Sequence, residues 1–400
     1  MTLYDEQNNR HYFTDSKGFT RKRSLTFKDT VLFIARNMGK SYQRELNEFY
    51  QAVESEDFLI QKVTKGAFTQ ARAKLSHTIF KKLSQVTIDK FYQGRHQAWG
   101  NYRLLAVDGS TIELPKHKSI TEEFGVHGFG PNADSFKSLA RISLLYDVIN
   151  CVTLDAQIDA YACSESELCY RHLEHVKEDD LVIFDRYYAS FKLMWELTER
   201  KAAFCFRMKD HWFKEVELFQ KESIKDKQVT FYYHGNPIPV RLVKIESEDG
   251  STHILCCSIF KEECSLEDLR ELYGARWGVE THYRTLKNWL ELENFSGKTS
   301  HAVRQDFYAK VFIMNLCAAL TYPVSKQIEK EKALYQVNRV DALSATKHLL
   351  IPCLYHQKTE NSLKQFDKIV AKAVNKVRPS RKYIRKKKPR AKFSMVYKNL

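Results

Sequence analysis

Between Arg103 and Arg207 the chain alternates in a way that leaves few folds open to it. Arg103 to Leu114 (RLLAVDGSTIEL) is an apolar run broken by Asp-Gly and reads as a strand ending at Asp108. Ser138 to Cys151 and Val152 to Tyr161 are β-branched and apolar, divide at Asn150, and read as two paired strands. Ser164-Glu165 opens a helix to about Lys177, and Leu181 to Phe184 is a buried-type strand ending at Asp185. A helix over Ala189 to Lys201 and a strand at Phe204-Cys205-Phe206 complete the series. Three strands, helix, strand, helix, strand calls for a mixed α/β sheet flanked by helices.

From 210 to 264 the rhythm changes. Val229 to Tyr233, Val240 to Val243 and Ile254-Leu255 flank turn signals at His234-Gly235-Asn236-Pro237 and Asp249-Gly250, the pattern of an inserted antiparallel β meander. Ser265-x-x-Asp268 then caps a long helix running to about Leu292, and Asp306 to Leu320 gives one more apolar helix. Ahead of the sheet, Thr26 to Tyr92 is helical and nearly free of Pro and Gly, with Thr26-x-x-Asp29 as a capping box. This region is either a helix-turn-helix with Lys65, Gln70, Arg72 and Lys74 facing DNA or a plain helical scaffold.

Charge narrows the class of partner. Lys plus Arg number 64 against 49 Asp plus Glu, a net +15. From Lys364 onward there are fourteen basic residues and one acid, Asp367, so nearly all the excess sits in a tail containing Arg385-Lys386-Lys387-Lys388. Such a tail attracts a phosphate backbone by counterion release, or is merely solvated. Nine scattered cysteines lack the spacing of a zinc or redox motif, which points to free thiols in a reducing cytoplasm. The polar start excludes a signal peptide. The longest apolar run, Val311 to Tyr322, is shorter than a bilayer demands, so no membrane partner is expected.

The acids that could carry chemistry are few. Asp108 and Asp185 each end an apolar strand, where ligands bind in an open α/β sheet; as single residues they read equally as turn or capping aspartates. On the long helix, Tyr273, Arg276, Glu280 and Lys287 project at roughly 0°, 300°, 340° and 320°, one stripe about 60° wide. One carboxylate, two cations and a phenol suit a surface that meets a metal and phosphates, or else a salt-bridged face with Arg276 and Glu280 as an i,i+4 pair. Gly274 and Gly278 lie on another face, where close packing against the sheet would explain them. His172 and His175 read as a solvated face. Trp212 is either a core residue or a platform for an unpaired base.

Read as Y-x2-R-x3-E-x6-K, Tyr273, Arg276, Glu280 and Lys287 resemble the YREK signature of bacterial insertion-sequence transposases of the insertion-sequence-four kind. Asp108 in V-D-G-S resembles their first acidic motif, Asp185 in F-D-R-Y-Y the second, and Phe206-Arg207-x-Lys209 the strand that follows. The second motif commonly has a small residue after D-R, where this chain has Tyr187. The resemblance covers about residues 104–297. It implies an RNase H-like fold with Asp108, Asp185 and Glu280 as a catalytic, metal-binding DDE triad holding two Mg2+ or Mn2+ ions. Tyr273, Arg276, Lys287, Arg186 and Arg207 would bind DNA. It further implies cut-and-paste transposition through a hairpin at the transposon end, on double-stranded DNA carrying terminal inverted repeats, by a homodimer assembled on DNA at the bacterial nucleoid. The expected organisation is a helical DNA-binding region over 1–95, a catalytic domain over 96–209 and 265–325, the inserted β subdomain over 210–264, and a C-terminal helical region with its basic tail over 326–400. A metal-dependent nuclease on the same fold, or a DNA-binding protein whose acids are not catalytic, are the alternatives.

Overall fold

The structure, a computed structural model, describes residues 9–15, 18–19, 24–36, 41–94, 96–129, 135–209, 213–246, 250–332 and 334–377. Trp212, Arg21-Lys22-Arg23, Gly39-Lys40 and the basic tail from Arg378 lie outside the described residues. In chain order the elements are α1 (Phe27–Ala35), α2 (Tyr42–Glu54), α3 (Lys65–Ala73), α4 (Thr78–Gln93), β1 (Arg103–Glu113), α5 (Lys118–Phe124), β2 (His127–Phe129), β3 (Ser135–Lys137), β4 (Leu139–Asp147) and β5 (Val152–Ala160). There follow α6 (Glu165–His172), β6 (Asp180–Phe184), α7 (Phe191–Glu199), β7 (Ala203–Arg207), α8 (Lys214–Lys221), β8 (Asp226–Tyr233), β9 (Asn236–Glu246) and β10 (Thr252–Cys257). The series closes with α9 (Leu266–Ala275), α10 (Trp277–Asn288), α11 (Ser300–Glu331), β11 (Tyr335–Val337), α12 (Arg339–Tyr355), α13 (Thr359–Lys372) and β12 (Val374–Lys376). Two compact units result. One is Met1–Gly94, Ile112–Ala140 and Thr285–Leu400; the other is Arg95–Thr111 and Arg141–Arg284.

The second unit is organised by one eight-stranded sheet of order β5-β4-β1-β6-β7-β10-β9-β8. β1 runs parallel to β6 and β6 parallel to β7, with Leu104 opposite Leu181 and Leu181 opposite Ala203. These three strands are almost wholly apolar because both of their faces are covered. Leu104, Leu181, Ile183, Ala203 and Cys205 share one cluster with Leu269 and Leu272 of α9. On alternating positions, Phe184 and Phe206 stack 4.5 Å apart. With β1 central, β4 and β5 on one side and the parallel β6 and β7 on the other, this is the RNase H-like mixed sheet expected from the resemblance.

Three details depart from the sequence reading. β1 does not end at Asp108 but continues to Glu113; what stops near Asp108 is its parallel pairing with β6, last recorded at Ala106↔Ile183. The meander β8–β10 turns at His234-Gly235, both with positive φ as a two-residue hairpin requires. Its strand β10 then pairs antiparallel with β7, so these strands extend the main sheet. The expected long helix is pinched at Arg276, whose N–H reaches Tyr273 while its own carbonyl accepts from Val279, a tight i→i+3 turn between α9 and α10.

In the first unit the Thr26–Asp29 capping box forms as expected. Arg72, which the helix-turn-helix alternative placed facing DNA, is 4% exposed. Its guanidinium donates to Asp306 (2.6 Å), Gln305 (2.7 Å), Tyr42 (2.8 Å), Ser296 (2.7 Å) and the Ala302 carbonyl (2.9 Å). The sequence reading also underestimated α11, which spans 32 residues. By length and composition it is the one described helix apolar enough to cross a bilayer, yet 67% of its most apolar stretch is buried within the protein.

Candidate active site

Asp108, Asp185 and Glu280 all belong to the unit built on the sheet. The β1–β6 register, carried two residues beyond Ala106↔Ile183, brings Asp108 level with Asp185. Asp185 follows the last residue of β6, and its carboxylate accepts the Tyr187 N–H at 2.7 Å, folding the D-R-Y-Y segment into an Asx-type turn. Tyr187, the departure from the usual small residue, is exposed, whereas Tyr188 is buried. Glu280 lies in the first turn of α10.

The N-terminal part of α10 is fixed on the sheet by three contacts. A Cβ on Gly278 would come within 3.2 Å of the Val148 side chain, so this glycine permits close approach; Gly274 faces open space, and the packing explanation fails there. The buried His282 pairs with Thr153 at 3.0 Å, and the Tyr283 hydroxyl donates to the Asp108 carbonyl at 2.8 Å.

Electrostatics tie the three acids together. Burial pushes the Asp108 carboxyl up to about 7; Arg276 and the Gly109 backbone N–H pull it down, while Glu280 and Asp185 push it up. A carboxylate so destabilised by desolvation and like charge calls for a cation. The cation that acts on Asp108 is Arg276, whose Nη2 donates to Glu280 Oε1 at 2.6 Å. The Arg276 Nε is buried with no hydrogen-bond partner among the described residues. Tyr273, pushed up to about 12 by burial, feels Arg276, Cys205, Arg207 and Asp185. Tyr273 and Arg276 therefore lie within the field of the acids.

The remaining sequence candidates are placed less centrally. Arg207 ends β7 and contacts His253 Nδ1 at 3.0 Å, and Arg186 is exposed in the turn after Asp185. Lys287 lies on α10 beyond the boundary at Thr285, in the other unit, where burial lowers its pKa and Glu293 opposes that.

Sequence reasoning missed several neighbours. Tyr283 could have been found as the i+3 companion of Glu280 on the same helix face. Glu165 carries no motif, and Tyr188, the last residue of F-D-R-Y-Y, was given no role. His172, read as solvated, is fully buried, pairing with Asp155 at 2.7 Å and Ser143 at 2.9 Å. Ser143 donates on to the Asp108 carbonyl at 3.3 Å. Its polar partners lie 17 and 29 residues away, out of reach of local pattern.

The donors at this site are carboxylates, the chemistry of a hard divalent cation rather than of zinc held by thiolates. Among the described residues no three His, Cys, Asp or Glu side chains are already closed into a metal cage, and Glu280 is tied to Arg276. The donor set thus fits a divalent cation in type, with Glu280 requiring release from the guanidinium.

Residues 99–316 match the family described as a transposase DDE domain. The chain is 20% identical over 332 residues to the transposase InsG for insertion sequence element IS4 of Escherichia coli (strain K12), covering 79% of this chain and 73% of that protein. It is 26% identical over 179 residues to the putative transposase y4zB of Sinorhizobium fredii, covering 41% and 46% respectively. Among solved structures, a piggyBac transposase synaptic complex with hairpin DNA is similar over 90% of this chain and 84% of that one, at 13% identity and a TM-score of 0.47. DDE transposases are enzymes that cut and join DNA with divalent metal ions. The match spans more than half of the sequence and encloses the three acids gathered on the sheet, and the chain belongs to the transposase DDE domain family.

Proposed function

We propose that this DNA transposase cuts and joins insertion-sequence ends with Asp108, Asp185 and Glu280 as its catalytic triad. The observation that carries the assignment is the β1–β6 register that brings Asp108 level with Asp185, and the buried Asp108 carboxyl also feels Arg276, Glu280 and Asp185. Two Mg2+ or Mn2+ ions held by these carboxylates would supply Lewis acidity at the scissile phosphate and lower the pKa of the attacking hydroxyl. The chain's own residues do the rest. Tyr283 and Ser143 hold the Asp108 backbone, and so the origin of its carboxylate, through its carbonyl. Arg276, with Nε unpartnered, is available to a phosphate oxygen once Glu280 is engaged elsewhere. Tyr273, Arg207, Arg186 and Lys287 would position the phosphodiester backbone rather than read bases.

In this reading the substrates are the terminal inverted repeats and target DNA, two ends are processed by a homodimer assembled on DNA in the bacterial cytoplasm at the nucleoid, and the excised end passes through a hairpin. The helical region over 1–95 and the basic tail contribute DNA binding, and residues 96–209 with 265–325 the chemistry.

The test is cleavage of DNA carrying the element's ends, with Mg2+ or Mn2+, resolved on a denaturing gel. Wild type is compared with Asp108→Asn, Asp185→Asn and Glu280→Gln. Metal-dependent nicks at the ends, absent from all three variants, with hairpin and joined products in the wild type, are expected. Cutting without joining would replace transposase by nuclease. Firm binding to the ends by all four proteins with no cleavage would leave only a binding protein.

A further inference from the structure

The sheet unit holds a fourth acid that the triad does not use. Glu165 opens α6, whose Ser164 cap accepts from the Glu167 N–H. Its carboxyl group lies directly over Gly109, the residue next to Asp108. A Cβ built on Gly109 would fall 2.8 Å from Glu165 Cδ and 2.9 Å from Cγ and Oε2. Gly109 is not among the glycines with positive φ, so its backbone does not demand glycine; the space above it does. The glycine of V-D-G-S is thus explained by what sits on it.

Further observations point the same way. Burial raises the Glu165 pKa, Arg141 opposes this, and Asp185 adds to it, so the carboxylate is within the field of a triad member. Tyr188 and Tyr283 each feel both Asp108 and Glu165. The Tyr188 hydroxyl, on a residue only 3% exposed, has no hydrogen-bond partner among the described residues, a buried polar atom within the field of these acids. Arg141 Nη1 holds Glu165 Oε1 at 2.9 Å, leaving Oε2 the oxygen nearest Gly109. Seven residues on, at nearly the same helical angle, His172 pins α6 to Asp155 and to Ser143, which itself reaches the Asp108 carbonyl. One helix face therefore sets both the Asp108 backbone and the acid beside it.

We propose that Glu165 is a fourth carboxylate of the cation site, binding a divalent ion alongside Asp108 and Asp185 while Glu280 is still held by Arg276. This rests on the metal-dependent reading above. It assigns an order to assembly: the first ion is received by Asp108, Asp185 and Glu165, and Glu280 joins when Arg276 lets go.

The experiment is Mn2+ binding to the full-length protein without DNA, followed by electron paramagnetic resonance of free Mn2+. Wild type is compared with Glu165→Gln, Gly109→Ala, Glu280→Gln and Asp108→Asn, each checked for folding by circular dichroism. Glu165→Gln keeps shape and the Arg141 contact but removes the charge. Gly109→Ala keeps all four acids and displaces only the flexible end of Glu165. Both are expected to weaken binding of the first Mn2+ at least tenfold, with Glu280→Gln changing it less than threefold. Glu167→Gln, an exposed position on the same helix paired with Arg171, should match wild type. Wild-type affinity in both Glu165→Gln and Gly109→Ala would overturn the proposal and leave the triad reading intact. Absence of Mn2+ binding by the wild type, or wild-type affinity in Asp108→Asn, would instead overturn the metal reading, and this proposal with it.

Discussion

Replacing Arg72 by Met separates two incompatible accounts of the N-terminal helices. Were Arg72 a DNA-facing residue, its loss would weaken DNA binding and leave stability alone. The structure buries it instead, with five hydrogen-bond acceptors around one guanidinium. Burial pushes the Asp306 carboxyl up, but Arg72 and Lys310 outweigh this and hold it below the usual carboxylate range. Met fills the same volume and leaves that charge unpaired, which costs about 3–5 kcal/mol. For a unit of this size each kcal/mol moves Tm by about 2–4 °C, so a fall of roughly 6–20 °C is expected in a thermal melt followed by circular dichroism. Arg72→Met combined with Asp306→Leu removes both charges and should recover more than half of the loss. Lys65→Ala and Gln70→Ala, exposed on the same helix, should leave Tm unchanged. A Tm for Arg72→Met within 2 °C of wild type, with DNA affinity reduced, would refute the burial argument.

Further consequences follow from single contacts. Gly274→Ala, in helix and facing open space, should raise stability by about 0.5–1 kcal/mol, whereas Gly278→Ala must push Val148 aside and should fall at least ~1 kcal/mol below it in urea melts. Burial raises the Asp155 pKa, but its hydrogen bond and charge pairing with His172 outweigh this and hold it at about 2. Because that lies below the unfolded value near 3.9, the contribution of about 2.5 kcal/mol is present above pH 4 and lost as pH falls toward 2. The gap in urea midpoint between wild type and His172→Gln should therefore narrow from pH 5 to pH 3, and a constant gap would exclude the pairing. Arg276→Ala frees Glu280, so Mn2+ affinity without DNA should hold or rise while the salt slope of DNA binding drops by about one; a fall in Mn2+ affinity would contradict the competition.

The parts of the fold legible in the sequence are those whose physics is local or period-based. Leu104 to Val107, Leu181 to Phe184 and Ala203 to Phe206 are apolar without alternation because they pair in parallel under helices on both faces. The acids at their ends stand out against that background. The meander announced itself through turn signals, and His234-Gly235 takes the two positive φ values that a two-residue hairpin needs. What stayed hidden depends on partners far along the chain. Arg72 looks like a solvated base on a short amphipathic helix until Asp306 arrives 234 residues later. His172 looks like one of two histidines on a polar helix until Asp155 and Ser143 close on it. The sequence reading confined this helix to Asp306 to Leu320, yet α11 runs from Ser300 to Glu331, with Asp306, Lys310 and Asn315 each buried and hydrogen-bonded. Glu165 has no signature at all, since a glutamate in the first turn after a serine cap is ordinary helix chemistry.

The Arg276–Glu280 pair accounts for how a site with several carboxylates stays folded before it works. Burial raises the Asp108 pKa, and the like charges of Glu280 and Asp185 add to it. On the i,i+4 spacing within α10's approach, Arg276 can reach Glu280 without any change in the helix, and it neutralises that acid while remaining close enough to lower Asp108 as well. The same guanidinium cannot then offer a phosphate its full Nε–Nη2 fork, since Nη2 is already committed. On the proposed reading, cation and DNA therefore relieve one another's cost: a cation that takes Glu280 releases Arg276 to the phosphate, and a phosphate that takes Arg276 releases Glu280 to the cation. Linkage makes that coupling reciprocal, each ligand raising the other's affinity by the same factor. A lysine at position 276, a point charge without the planar fork, could neutralise Glu280 but would not hand a bidentate donor to the phosphate.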